Sequence, residues 1–110
     1  MQILKTSKEF SKKEIYKLTR SPEIKKLSEN IGIEIPVAGF VIFTDTDSNG
    51  NETELLSILA NDGTVYATNS KTARQEMEYI ADLMDGEEFT VEAINGVSKA
   101  GRQYVTLVLK

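Results

Sequence analysis

The sequence predicts a mainly β domain: a small barrel of five strands with one internal helix, preceded by two short N-terminal helices. Three observations lead to this class. From residue 33 onward the apolar residues form runs of strand length, turn residues separate these runs, and one long helical stripe lies between the third and fourth run. A chain of 110 residues has the length of one domain. We therefore expect a single domain, 1–110, in which a basic helical segment, 1–32, packs on a barrel formed by 33–110.

Two residue types that carry much of protein chemistry are missing from the chain. It has no cysteine, which excludes disulfides, thiolate nucleophiles and cysteine-bound zinc or iron–sulfur sites. It has no histidine, which excludes a Ser-His-Asp triad and the commonest general base. The acidic residues form no spaced pair of carboxylates in a predicted cleft. We therefore expect no enzymatic activity, no metal and no cofactor.

Charge is distributed unevenly along the chain, whose formal net charge is −4. Residues 1–30 contain eight Lys and Arg against four Asp and Glu, whereas residues 31–110 contain five against thirteen. A basic segment of this kind is typical of an arm that binds a polyanion, and it also fits a solvated pair of short helices. An acidic total thus conceals a basic N-terminal segment.

No part of the sequence indicates export or membrane insertion. No apolar run approaches the ~20 residues that a membrane-spanning helix needs. Residues 1–13 contain no apolar core of the kind found in signal peptides. We expect a cytoplasmic protein without a membrane partner.

The N-terminal segment contains two sets of helix signals. Ser11–Thr19 begins with the capping box Ser-Lys-Lys-Glu and continues with apolar residues at helical spacing, which predicts a first helix. The range 21–32 begins with Ser-Pro, a typical helix start, and Ile24 and Leu27 mark the buried side of a second helix. Neither helix is long enough to be stable alone, so both should pack on the barrel. The first residues, 2–4, fit a short strand or a tether.

From residue 33 the periodicity changes to that of strands. Pro36 and Gly39 interrupt the first apolar run, which predicts a bulge, a bend or an edge position there. The turn 61–63, Asn-Asp-Gly, predicts a tight hairpin, and Gly86 is placed to end the helix. The predicted elements are strands over Ile33–Thr44, Glu52–Ala60 and Thr64–Thr68, a helix over Asn69–Asp85, and strands over Glu88–Ile94 and Arg102–Leu109.

The order of these elements is β-β-β-α-β-β. It is the order of the oligonucleotide/oligosaccharide-binding (OB) fold, a five-stranded, partly open Greek-key barrel. The helix between strands three and four is the diagnostic element. A plain α+β sheet has the same order, so this alternative stays open.

The candidate ligand residues follow from that fold, in which strands two, three and five and the loop between strands four and five line the groove. Tyr66 and Tyr104 are out of phase with the apolar residues of their strands, which predicts exposed rings on which unpaired bases stack, each worth ~1–3 kcal/mol. Lys99 and Arg102, in the loop between strands four and five, are predicted to contact phosphates. The alternative is a pair of half-buried tyrosines and a hairpin connection with solvated charges. Weaker candidates are Lys71, Arg74 and Phe43.

The polar loop Asp45–Asn51 matches the first half of a calcium-binding loop. Leu56 occupies the position of the acid that closes such a site, and the flanks are strands rather than helices. Because polar hairpin loops use the same residue types, we predict no useful calcium affinity.

Four stretches of the chain, Lys5–Tyr16, Ser21–Ile24, Ala81–Gly86 and Lys99–Tyr104, are similar to small single-stranded DNA-binding proteins encoded by phages and prophages of Gram-positive bacteria. The resemblance covers most of the chain. It implies binding of single-stranded DNA without sequence preference, and no catalysis.

We therefore expect a single-stranded DNA-binding protein that acts in phage DNA replication or recombination in the bacterial host. Replication or recombination proteins are further expected partners, and a homodimer is left open. The alternative is a small acidic phage inhibitor or adaptor that binds a host protein. The excess of eight negative charges in residues 31–110 would suit such a protein as a DNA mimic.

Overall fold

The computed structural model describes residues 1–110, which form a curled sheet of seven strands and two α-helices. The strands are β1 (Gln2–Thr6), β2 (Lys25–Lys26), β3 (Glu34–Thr46), β4 (Glu52–Ala60), β5 (Val65–Thr68), β6 (Thr90–Val97) and β7 (Gln103–Leu109); the helices are α1 (Lys12–Thr19) and α2 (Lys71–Met84). The strand order is β2-β5-β4-β3-β6-β7, and β1 pairs with β3. Neither helix has the length and apolar character needed to cross a membrane.

The longest strand, β3, connects the parts of the sheet because it changes partners along its length. Its start, Glu34–Pro36, pairs with β6, whereas its second half pairs with β1 on the same side. On its other side β3 pairs with β4, and this register shifts between Val37 and Gly39. Such a shift is a β-bulge, which bends a strand. It confirms the irregularity that was predicted at this place.

Helix α2 covers one face of the sheet. Its buried residues Ala73, Met77 and Ile80 lie in a cluster of 14 buried side chains, called the inner cluster. Phe40 and Ile42 of β3 belong to it, as does every second residue of the neighbouring β4 from Leu56 to Ala60. The helical stripe predicted in the sequence is therefore the inward side of α2.

Helix α1 covers the opposite face of β3, β4 and β5. Leu18 of α1 is fully buried there with Val41, Phe43 and Val65, and these four side chains form the outer cluster. Alternation along β3 sends successive side chains to the two clusters. Both faces of this part of the sheet are therefore covered.

The first predicted helix is present as α1, and Ser11 caps it. The Ser11 side chain accepts a hydrogen bond from the Glu14 N–H at 3.2 Å, and the Glu14 carboxylate accepts one from the Ser11 N–H at 2.8 Å. The capping box read from the sequence thus forms.

The prediction of a second N-terminal helix over 21–32 is wrong. After α1 the chain forms β2, which runs parallel to β5, and then a single 3-10 turn, Leu27–Glu29. Ile24 packs against the outer cluster, whereas Leu27 is buried in the inner one. Side chains three residues apart on a helix share a face. Because Ile24 and Leu27 pack in clusters on opposite faces of the sheet, the chain between them has to be extended.

The predicted strands and the long helix from residue 33 onward are all present, with ends displaced by up to three residues. The sheet does not close on itself, since β2 occupies the edge of β5 and β7 remains the opposite edge. The Ser70 hydroxyl, which caps α2, donates a hydrogen bond of 2.5 Å to the Val105 carbonyl of β7. It joins the start of α2 to this edge strand.

Candidate nucleic-acid interface

The β6–β7 hairpin brings three of the predicted site residues together. Lys99, Arg102 and Tyr104 are all exposed, and we call these three residues the hairpin surface. The loop between the strands is closed by a hydrogen bond of 2.8 Å from the Ser98 N–H to the Arg102 carbonyl. Arg102 directly precedes β7 and lies two residues before Tyr104. Neither Lys99 nor Arg102 forms a salt bridge.

The ring of Tyr104 packs directly on a glycine of the neighbouring strand. Tyr104 lies opposite Gly96 in the antiparallel ladder, and a Cβ at position 96 would overlap the tyrosine ring. Glycine at this position therefore allows the ring to approach the backbone of β6. Tyr104 remains 36% exposed, so part of its ring is available to a ligand.

Apolar side chains continue the face on which Tyr104 lies. Ile94 and Val108 share its phase in β6 and β7, with the buried Thr106 between Tyr104 and Val108, and Val108 is 37% exposed. The sequence reasoning did not include these two residues, although their alternation with the core residues of the same strands was visible.

The far end of the same face is acidic. Glu92 lies opposite Val108, and the Lys110 ammonium pairs with the Glu92 carboxylate at 3.0 Å. The hydrogen bond and charge of Glu92, together with Glu34, raise the pKa of Lys110. Unpaired positive charge is therefore confined to the loop end of the hairpin.

The expectation that Tyr66 is an exposed stacking ring is wrong. Tyr66 is only 6% exposed and belongs to the inner cluster, and burial raises the pKa of its hydroxyl. Phe43 is 2% exposed in the outer cluster, so it too offers no surface to a ligand. The reason is the same for both residues. Each face of β3–β5 is covered, so the alternation of side chains along these strands does not predict which of them are exposed.

The two cations at the start of α2 differ in their surroundings. The Arg74 guanidinium pairs with the Glu54 carboxylate of β4 at 2.7 Å, and its side chain is 15% exposed. Lys71 is exposed and forms no salt bridge, but it lines a cavity with Glu54 and Glu78. The same cavity is also lined by Lys5 and Arg74, which pair with Asp82 and Glu54, so Lys71 is the one cation there that forms no salt bridge.

An exposed aromatic residue in the basic segment was missed by the sequence reasoning. Tyr16 on α1 is 60% exposed and lies between lysines in the chain. The signal was present, because Lys13, Tyr16, Lys17 and Arg20 follow helical spacing within a helix that the capping box already predicted.

Comparisons with known proteins give this chain no relative. No protein-family model, no curated protein and no solved structure matches it.

Proposed function

We propose that this protein binds single-stranded DNA without sequence preference through its hairpin surface. The proposal rests on the Tyr104 ring, which packs on Gly96 and is partly exposed. The same hairpin carries two cations, Lys99 and Arg102, that form no salt bridge. An aromatic ring stacks on any unpaired base, and Lys99 and Arg102 attract phosphates. The proposal places the protein in phage DNA replication or recombination, in the cytoplasm of a bacterial host.

The proposal includes the OB class of barrel, with β3 to β7 as its five strands. Two features of the sheet support this assignment: the first long strand pairs with both β4 and β6, and α2 lies between β5 and β6. In such a barrel the β6–β7 loop lies beside the ligand groove. The groove differs here, because α1 covers the outer face of β3–β5.

The charge pattern indicates how a strand would lie on the hairpin. Phosphates are attracted to the loop end, where Lys99 and Arg102 are unpaired. They are repelled at the opposite end, where Glu34 lies beside Glu92. The rings of bases contact Tyr104 between these ends. A duplex offers no exposed base faces to this ring, so unpaired strands are favoured.

The test compares two substitutions by fluorescence anisotropy with labelled oligo-dT over a series of salt concentrations. Tyr104→Ala should weaken binding by ~1–3 kcal/mol with little change in the salt slope, because it removes stacking. Arg102→Ala should reduce the slope by about 0.7, the value for one lost phosphate contact on a single strand. Tyr79→Ala is the matched control, since Tyr79 is 62% exposed on α2 and is not part of the hairpin surface. If the Tyr104 and Arg102 variants both bind like the parent, the hairpin is not the site.

A second function is supported by the acidity of the barrel part. Thirteen acids stand against five bases in residues 31–110, an excess of eight negative charges. Such a surface suits a small inhibitor or adaptor that binds a basic site on a host protein. Absence of any oligo-dT binding by the parent protein would favour this function over the first.

A further inference from the structure

We infer that helix α1 and strand β2 form a second surface for the same single strand. It is made of Lys13, Tyr16 and Lys17 of α1, of Arg20 at the C-terminal end of this helix, and of Lys25 of β2. We call these residues the α1 surface. The inference rests on the proposed function and extends its footprint from the hairpin to the N-terminal segment.

The residues on α1 share one side of the helix. Lys13, Tyr16, Lys17 and Arg20 are spaced by three, one and three residues, so they lie next to one another on the solvent side. All four are exposed. The opposite side of the helix is occupied, since Leu18 is fully buried in the outer cluster. The free side of α1 therefore presents positive charge around a single aromatic ring.

Few of the positive charges of this segment form salt bridges. Of the eight Lys and Arg in residues 1–30, only Lys5 forms a salt bridge, with Asp82 at 3.7 Å. Lys25 is exposed on β2 and lines a cavity with Lys17, so it adds to the charge beside α1. Eight cations against four acids in residues 1–30 leave a net positive charge, which attracts a polyanion.

A cavity of about 420 Å³ lies between α1, β2 and the β4–β5 turn. Lys17 and Lys25 line it, together with the acids Glu23 and Asp62. The Thr64 N–H donates a hydrogen bond of 2.9 Å to the Asp62 carboxylate, and this contact lowers the pKa of Asp62. The lowered pKa keeps Asp62 ionised, so the two acids balance the two lysines inside this cavity, and the net positive charge of the surface lies on the exposed side of α1.

The chemistry of this surface fits single-stranded nucleic acid rather than a lipid membrane. A basic helix binds a membrane by inserting its apolar side, but that side of α1 packs on the sheet. What remains is a ring for stacking and cations for phosphates, the two elements of a single-strand site. Moreover, α1 covers the sheet face that would otherwise carry the bases, so a strand that crosses this part of the molecule meets α1 first.

The first experiment maps the bound strand on the intact protein. Isotope-labelled protein is titrated with oligo-dT, and the backbone amide shifts of residues 12–26 and of residues 96–104 are followed. Shifts in both ranges support the inference. Shifts confined to 96–104 overturn it and leave the proposed function standing. Shifts confined to 12–26 support the α1 surface and overturn the hairpin site, and shifts in neither range overturn both.

The second experiment measures the contribution of the α1 surface with variants. Lys13→Gln, Lys17→Gln and Arg20→Gln combined should reduce the salt slope for oligo-dT by about 2, the sum for three phosphate contacts. Tyr16→Ala should weaken binding roughly 5- to 150-fold with the slope unchanged. Lys110→Gln is the matched control for the single variant Lys17→Gln. Both substitutions remove one positive charge, but Lys110 already pairs with Glu92, so its loss should change the salt slope less. Equal slopes for these two single variants would overturn the inference, and unchanged melting curves show that the fold is intact.

Discussion

Replacement of Leu27 by alanine tests whether the N-terminal segment is an integral part of the core. Leu27 lies in the 3-10 turn outside the barrel strands β3–β7, yet its side chain is fully buried in the inner cluster. Leu27→Ala removes three buried carbons, which corresponds to a loss of about 2.4 kcal/mol from transfer alone. The cavity left among 14 tightly packed side chains raises the loss to ~3–5 kcal/mol.

Urea unfolding followed by circular dichroism measures this loss. The matched control is Leu83→Ala, the same chemical change at a leucine that is 61% exposed on α2. It should change the free energy of unfolding by less than about 0.5 kcal/mol. A small domain has only about 5–15 kcal/mol of stability, so the difference between the two variants is easily resolved. If Leu27→Ala costs no more than Leu83→Ala, the N-terminal segment is an independent arm and the packing argument is refuted.

Three further predictions concern local contacts. Gly39→Ala should destabilise the protein by about 1–3 kcal/mol in urea unfolding, because a Cβ there would lie 2.8 Å from the Phe10 ring, and truncation of Phe10 to leucine should recover part of the loss. Glu14→Gln should make the melting temperature less dependent on pH between about pH 5 and 3. The capping hydrogen bonds hold the pKa of Glu14 below its ordinary value of 4.5, so its stabilisation is present above that pH and lost as pH falls through the lowered value. Gly96→Ala should displace the Tyr104 ring and weaken oligo-dT binding in anisotropy, with the salt slope retained.

Local sequence patterns predicted most elements of the barrel part. The strand Glu52–Ala60 has its predicted ends, and the stripe of Ala73, Met77 and Ile80 is the buried side of α2. The Ser11 capping box forms as read. These features depend on residues close in the chain, for which spacing and hydrogen-bonding capacity are sufficient information.

The hairpin surface was predictable for a related reason. Lys99, Arg102 and Tyr104 lie within six residues of one another, so a single hairpin brings them together without any long-range contact. The sequence did not indicate the role of Gly96, because the packing of the Tyr104 ring on this glycine depends on the register between β6 and β7.

Tertiary packing decided the rest. Ile24 and Leu27 have the spacing of a helix face, but they are drawn to opposite sides of the sheet, and this makes the chain extended. Tyr66 has the phase of an exposed residue, but the face on which it lies is buried. Local sequence determined which segments become strands and helices, because backbone preference and periodicity act over a few residues. Which faces are covered depends on where α1 and α2 pack, and that is set by contacts between residues far apart in the chain.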